Sequence, residues 1–467
     1  GVTVVPQDDS SFNVFISSGQ PLVVGSTVAK LEVVPGQGDP NRHEVQFISG
    51  GSRQGITSQI TGGELGGLIR YREEVLDSTM NSLGRLSLAV SDQVNTQLRQ
   101  GLDLKGDVGE ALFGNYNEPA LAKLRVNAFA GNSNAQPVLN ITDPSVLTTS
   151  DYLMEYDASG PKVRRLSDNQ LMTVTESPAG TLSIADKNGV DQGFQVVLGS
   201  PAPVAGDKFS LQPTRRGAAD ITAVLDQADQ LAFAAPVRAE AGLQNSGTGK
   251  ITQPDLVSVL DASNPELAVD AKQAMEALQT YLGNGRLLEF GAAGNFSLPA
   301  GVTSVPDLAA GGFKSGQTNS VKLAFETGGY KYELSVQLSG TPNAGDDFTL
   351  DFNQSGVSDN RNALKLVDLQ SKQTVGVSLD ADGNVISGVS FTDGYGELVE
   401  RVGTLTAQAR MDSEATGSIL KQATDNRDSL SAVNLDEEAA NLIKFEQYYN
   451  ASAQIIQVAR SLFDTLI

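Results

Sequence analysis

The sequence predicts an α+β multidomain protein, built as an elongated stem of antiparallel long helices with a coiled-coil-like C-terminal helix and two β-rich domains inserted in tandem. Three observations carry this reading. Past a short opening β unit, helical periodicity occupies both ends of the chain. The stretch between them is β-patterned and contains an internal repeat. The final helix places an apolar residue at every seventh position. A chain of 467 residues also exceeds what one core serves, so about three domains of roughly 150 residues are expected. The expected division is a stem from 1–114 with 365–433, β-rich domains at 115–236 and 237–364, and an assembly helix at 434–467.

The opening stretches VTVVPQ, FNVFIS, PLVVG and AKLEVV alternate as strands do, broken by Gly, Pro, Asp and Ser. From Gly63 the spacing becomes helical, with Leu65, Ile69, Leu76, Met80, Leu83, Val90, Val94 and Leu98 on one stripe that stops at Gly101. Within the β-rich region GFQVVLGSPAPVAGDKFSL (193–211) is echoed by YELSVQLSGTPNAGDDFTL (332–350). The shared unit is an apolar strand, a Pro-containing turn, Ala-Gly-Asp and a second strand. One helix is expected in the second copy, with Asn264 as cap, Pro265 next, a stripe of Leu267, Ala271, Met275, Leu278 and Leu282, and Gly283 as stop.

A hairpin with Asp382-Gly383 as its turn precedes the last two helices. The first is expected from about Tyr395 to Leu430, with Leu398, Val402, Leu405, Ala409, Leu420, Ala423 and Leu430 on its stripe. It is expected to pack against the helix from Gly63 to Gly101. The second follows a capping pair, Asn434 with Glu437, and fills its first turn with Asp436, Glu437 and Glu438, where negative charge meets the positive end of the helix dipole.

Composition excludes several functions. A net charge of −22 disfavours nucleic acid or an anionic membrane as partner, because both need a basic face. Cysteine is absent, so disulfides, thiolate nucleophiles and cysteine-ligated zinc are excluded. The single histidine, His43 in PNRHEVQF, is better read as a surface residue than as the base of a triad. No apolar run reaches the roughly 18 residues that span a bilayer. GLQNSGTGKIT (242–252) departs from a phosphate loop, since its first Gly is misplaced and Ile251 stands where a hydroxyl should hold magnesium. DADGN (380–384) begins like a calcium loop, but Val385 replaces the required Gly and Phe391 the closing Glu. Neither a cofactor nor a metal is expected.

The seam of the last helix is Leu435, Leu442, Tyr449, Ile456 and Phe463. Ala439, Ala453 and Ile467 flank it on one side and Phe445, Ala459 and Leu466 on the other, a stripe wide enough to serve more than one neighbour.

SAVNLDEEAANLIKFEQYYNASAQIIQVARSLFDTLI (431–467) resembles the C-terminal signature of the flagellar axial protein family. SSGQPLVVG (17–25), the block from TGGELGGLIRYREE to GDVGEALF (61–113), DNRNALKLVDLQ (359–370) and GYGELVERVGTLTAQARMDSEA (394–415) resemble its hook-filament junction members. The resemblance implies a structural protein without enzymatic activity, carried outside the cell by the flagellar type III export apparatus and polymerised as a ring. Implied partners are further copies of the chain, hook protein, and the neighbouring junction protein or flagellin, with an export chaperone. It also implies that a helix preceding Gly1 is the seam's first partner and the same helix of neighbouring subunits its second. Two alternatives stay open: another axial protein of hook or filament type, and a secreted binding module whose tandem β-domains sit on a helical stalk.

Overall fold

The computed structural model describes residues 2–8, 11–16, 19–40, 42–263, 269–379, 385–431 and 435–466. It divides into two compact units, Gly1–Val399 and Glu400–Ile467. Asn264, Pro265 and Leu267, the Asp382-Gly383 turn and Asn434 lie outside the described residues.

The alternating opening segments form two antiparallel sheets. Val2–Pro6, Phe12–Ile16, Gln20–Val24 and Thr27–Val28 pair in sequence order, and Lys30–Pro35, His43–Ser49 and Ser52–Gly55 form the second sheet. Ile16, Val45, Phe47 and Ile56 close a small core beneath them. His43 is exposed and lies in a strand, where its carbonyl accepts a hydrogen bond from Arg72 Nη1 at 2.8 Å.

Helix α1 (Gly63–Arg70) passes through a π-helical segment, Tyr71–Leu76, into α2 (Asp77–Arg99). The packed face of α2 is turned away from the expected apolar stripe and shares only Leu98 with it. Asn81, Gly84, Leu88, Ser91, Asn95 and Leu98, in alternating steps of three and four, are buried. Leu65, Leu76, Met80 and Leu83 of the apolar stripe are exposed instead. Close backbone approach explains the choice. A Cβ on Gly84 would lie 1.8 Å from the Thr214 carbonyl oxygen, and one on Gly217 2.4 Å from the Gly84 carbonyl oxygen, so only glycine lets the two segments touch. The polar members find partners: Asn95 Nδ2 donates to the Phe113 carbonyl at 2.9 Å, and Asn81 Nδ2 to the Thr149 carbonyl at 3.0 Å.

Charge reinforces this joint. Arg215 reaches Asp77 and Asp151, both at 2.6 Å, and Arg42 reaches Asp77 at 2.9 Å and Glu73 at 3.1 Å. Acid and base thus alternate from the opening sheets across α2 to the first β layer.

After α3 (Pro119–Lys123) comes Arg125, 2% exposed, which donates to the carbonyls of Tyr116 and Leu139. Burial pulls its guanidinium down to about 10. The strands Gly160–Arg165, Tyr152–Asp157, Lys208–Leu211 and Val126–Ala128 form one four-stranded sheet, and Thr173–Glu176, Thr181–Ala185, Asp191–Val197 and Val138–Ile141 the other. Their facing side chains, among them Leu139, Met154, Phe194 and Phe209, share a core with Leu88 of α2.

Helix α4 (Gly217–Asp220) leads to the second β region. Val237–Ala241, Asp347–Phe352, Arg286–Phe290 and Phe296–Ser297 form a four-stranded sheet, and a five-stranded sheet is centred on Tyr330–Ser339 and Asn319–Thr327. Helix α5 (Ala271–Leu282) packs Met275, Leu278 and Leu282 into their core. Asp270 caps it, accepting from the amides of Lys272 and Gln273 at 3.1 Å.

The sequence repeat is a repeat of hydrogen bonds. Gly206 N–H donates to the Tyr156 carbonyl at 2.8 Å and Tyr156 N–H to the Asp207 carbonyl at 2.9 Å. In the second copy Gly345 donates to Phe290 at 2.8 Å and Phe290 to Asp346 at 2.7 Å. Asp207 accepts the amides of Val204 and Ser133, and Asp346 those of Asn343 and Ser246. An Asn-Ser pair completes each clasp: Asn132 and Asn245 exchange bonds with the backbone of Lys208 and Asp347 respectively.

Helix α6 (Arg361–Asp368) ties the second region back to α2. Asn362, 2% exposed, donates to the carbonyls of Gln97 at 3.0 Å and Ala232 at 2.6 Å, and accepts from Gln97 Nε2 at 2.6 Å. Arg361 donates to the Pro254 and Val237 carbonyls at 2.7 Å while Asp359 neutralises it at 2.7 Å. A hairpin of Val375–Leu379 and Val385–Val389 then precedes α7 (Phe391–Ser431). This helix begins four residues before the expected Tyr395, because Ser390 caps it: the hydroxyl accepts from Asp393 N–H at 3.0 Å and donates to the Asp393 carboxylate at 2.7 Å. Of its expected stripe Leu398 is buried, but Ala409, Leu420 and Ala423 are exposed. Apolar spacing identifies the face that seeks a partner without naming who supplies one. Helix α8 (Leu435–Leu466) ends the description.

Candidate functional site

Helix α8 begins with Asp436, Glu437 and Glu438 in its first turn, where they complement the helix dipole. Its 32 residues rise about 48 Å. Every seam residue is exposed: Leu435 82%, Leu442 70%, Tyr449 76%, Ile456 67% and Phe463 69%. A heptad spacing keeps these five on one side of the helix.

Sequence reasoning missed part of this surface. Tyr448, Ile455 and Leu462 also recur at sevens, one position before the seam, and all three are exposed, as are Ile443 and Val458 beside the flanking Phe445 already noted. The signal was the same periodicity read from an adjacent start. Phe445 and Tyr448 meet edge to face with centroids 6.5 Å apart, and Lys444 Nζ lies 5.8 Å from the Tyr448 ring centroid. A row of uncovered leucine, isoleucine, phenylalanine and tyrosine on a polar-flanked helix has one chemical capacity, to exclude water against another apolar surface.

The other candidates resolve into structural roles. The amides of Ser246 and Gly247, in the segment that looked like a phosphate loop, donate to the chain's own Asp346 carboxylate at 2.7 and 2.9 Å. A protein carboxylate thus holds the place of an anion. A cavity of about 410 Å³ lined by Arg42, Arg72, Glu73, Asp151 and Tyr152 borders the ion-pair network that joins α2 to the first β layer. Among the described residues no group of three or more His, Asp or Glu is placed to hold a metal. No described helix is long and apolar enough to cross a membrane.

Comparison with known proteins matches three segments of the chain. The family model described as the flagellar hook-associated protein FlgK helical domain matches residues 1–113. That of the flagellar hook-associated protein 1 D2-like domain matches 127–213, and that of the flagellar basal body rod FlgEFG protein C-terminal region matches 427–467, which contains α8. Flagellar hook-associated protein 1 of Escherichia coli is 27% identical over 470 residues, covering 100% of this chain and 60% of its own length. The Salmonella typhimurium protein of that name is 26% identical over 473 residues, with 100% and 61% covered. The chain therefore spans about three fifths of the length of these relatives, 60% and 61%. The solved structure of the flagellar hook junction protein FlgK from Burkholderia pseudomallei is similar with a TM-score of 0.71 at 26% identity, over 93% of this chain and 75% of that one. Its helical, D2-like and C-terminal segments are thus each similar to a flagellar family model, and its whole length is similar to the flagellar hook-associated protein 1 relatives.

Proposed function

We propose that the chain is a structural, non-catalytic subunit of the bacterial flagellum that forms the junction between hook and filament by self-assembly through its terminal helix. The observation that carries this is the exposed seam of α8, on a segment matched by the C-terminal model of flagellar rod proteins. In this reading Leu435, Leu442, Tyr449, Ile456 and Phe463 contact neighbouring subunits. Hook protein and the next junction protein or flagellin bind the two ends of the ring. The protein travels outside the cell through the flagellar export apparatus, with a chaperone covering the helix on the way. The helical segments form an elongated stem, and the β-rich regions 115–236 and 237–364 act as tandem outer domains.

Energetics supports coupled folding and assembly. Burying one large apolar side chain contributes about 1.5–3 kcal/mol, while ordering costs about 1–2 kcal/mol per residue. Five seam residues alone cannot order a helix of 32 residues, so neighbouring subunits must add contacts.

Cosedimentation with purified hooks tests the reading. The chain is expected to pellet with hooks, and Leu442→Asp with Ile456→Asp to remain in the supernatant with unchanged melting of residues 1–399. Equal pelleting of the double variant would overturn the seam as the assembly surface.

A further inference from the structure

Arg85 is a half-buried charge that neither the ties between layers nor the assembly reading employs. It projects from α2 beside the hairpin and the first turns of α7. Its Nε is buried with no hydrogen-bond partner among the described residues. The hairpin lies directly across its guanidinium at Gly376, φ +62°, where a Cβ would come within 2.6 Å of Nη1. That left-handed backbone conformation favours glycine.

Helix α7 comes down on the next residue. A Cβ on Gly394 would stand 3.8 Å from a Leu86 methyl and 3.3 Å from Val389. Glu397 follows Gly394 by three positions, on the same face of α7, and so rises from the side turned toward α2. Burial pulls the Arg85 guanidinium below its ordinary value, and the Glu397 charge opposes that shift.

A guanidinium carries five donors and cannot shed its charge, so a buried one left short of partners is destabilising until a carboxylate reaches it. Asp393 is committed to the helix cap through the Ser390 hydroxyl. Glu397 is exposed, one turn further along. We propose that Arg85 and Glu397 form an ion-pair latch that fastens the first turns of α7 to α2, closing when the Glu397 side chain swings onto the waiting guanidinium. The latch lies wholly within residues 1–399 and does not depend on the assembly reading.

Amide hydrogen exchange of residues 395–399 in the full chain at neutral pH tests it. Glu397→Gln, a surface change that leaves packing intact, is expected to speed exchange there about tenfold, the effect of losing one charge-assisted pair. Arg85→Met, which keeps most of the side-chain volume, is expected to do the same, and combining the two should add nothing further. Unchanged exchange in Glu397→Gln overturns the proposal, whatever Arg85→Met does. So do two single effects that add independently, which would make Arg85 a packing residue only.

Discussion

Two glycines of the helical region show how much a single atom decides. Gly67 in α1 has nothing within 4 Å of a built Cβ, so Gly67→Ala should stabilise by about 0.5–1 kcal/mol through helix propensity. Gly84→Ala would force a methyl onto the Thr214 carbonyl and should cost about 3 kcal/mol. Urea midpoints of the two variants should move in opposite directions. Acid sensitivity also belongs to individual residues. The amide of Asn343, with those of Ser246 and Gly247, holds the Asp346 carboxyl below the usual carboxylate range. Burial pushes Asp207 up, but the Ser133 hydroxyl and amide and the Val204 amide outweigh it and leave that carboxyl lowered as well. A lowered folded value means stability that is full above the unfolded value of about 3.9 and lost as pH falls through the folded one. Asp207→Asn with Asp346→Asn should therefore lower the melting midpoint more at pH 7 than at pH 3.

Among the elements, the last helices and the repeat were legible and the face of α2 was not. Seven-residue spacing located α8, and Ala-Gly-Asp located both copies of the clasp, because turn chemistry and heptads are written in local sequence. Asn362 was visible only as part of a quoted motif; that it closes on Gln97 and Ala232, 265 and 130 positions away, is a tertiary fact. Asn362→Ala strands the Gln97 amide and two carbonyls and should cost about 2–4 kcal/mol in urea unfolding, with Asn362→Asp no rescue because the lost groups include the donor Nδ2. A sheet edge is managed here too: Lys365 Nζ donates to the Leu256 carbonyl at 2.9 Å, on the bulged strand Asp255–Asp261. A charged side chain and a bulge at that place discourage another strand from pairing.

For the molecule as a whole, the chain exposes far more apolar helix than a finished surface tolerates. If assembly is what covers it, the helical signal of the chain should rise with protein concentration, and Leu442→Asp with Ile456→Asp should abolish that rise; circular dichroism across a dilution series measures both. The sequence by itself determined the α+β class, the terminal heptad, the duplicated clasp and the absence of cysteine chemistry, since each is a matter of composition or of residues close together in the chain. Only the tertiary structure decided that α2 packs through Asn81, Gly84, Ser91 and Asn95 as well as Leu88 and Leu98, while Met80 and Leu83 stay outside. Periodicity reports where apolar side chains lie around a helix, whereas packing is decided by which backbone comes close, and at Gly84 and Gly217 two backbones come close enough to leave no room for a side chain.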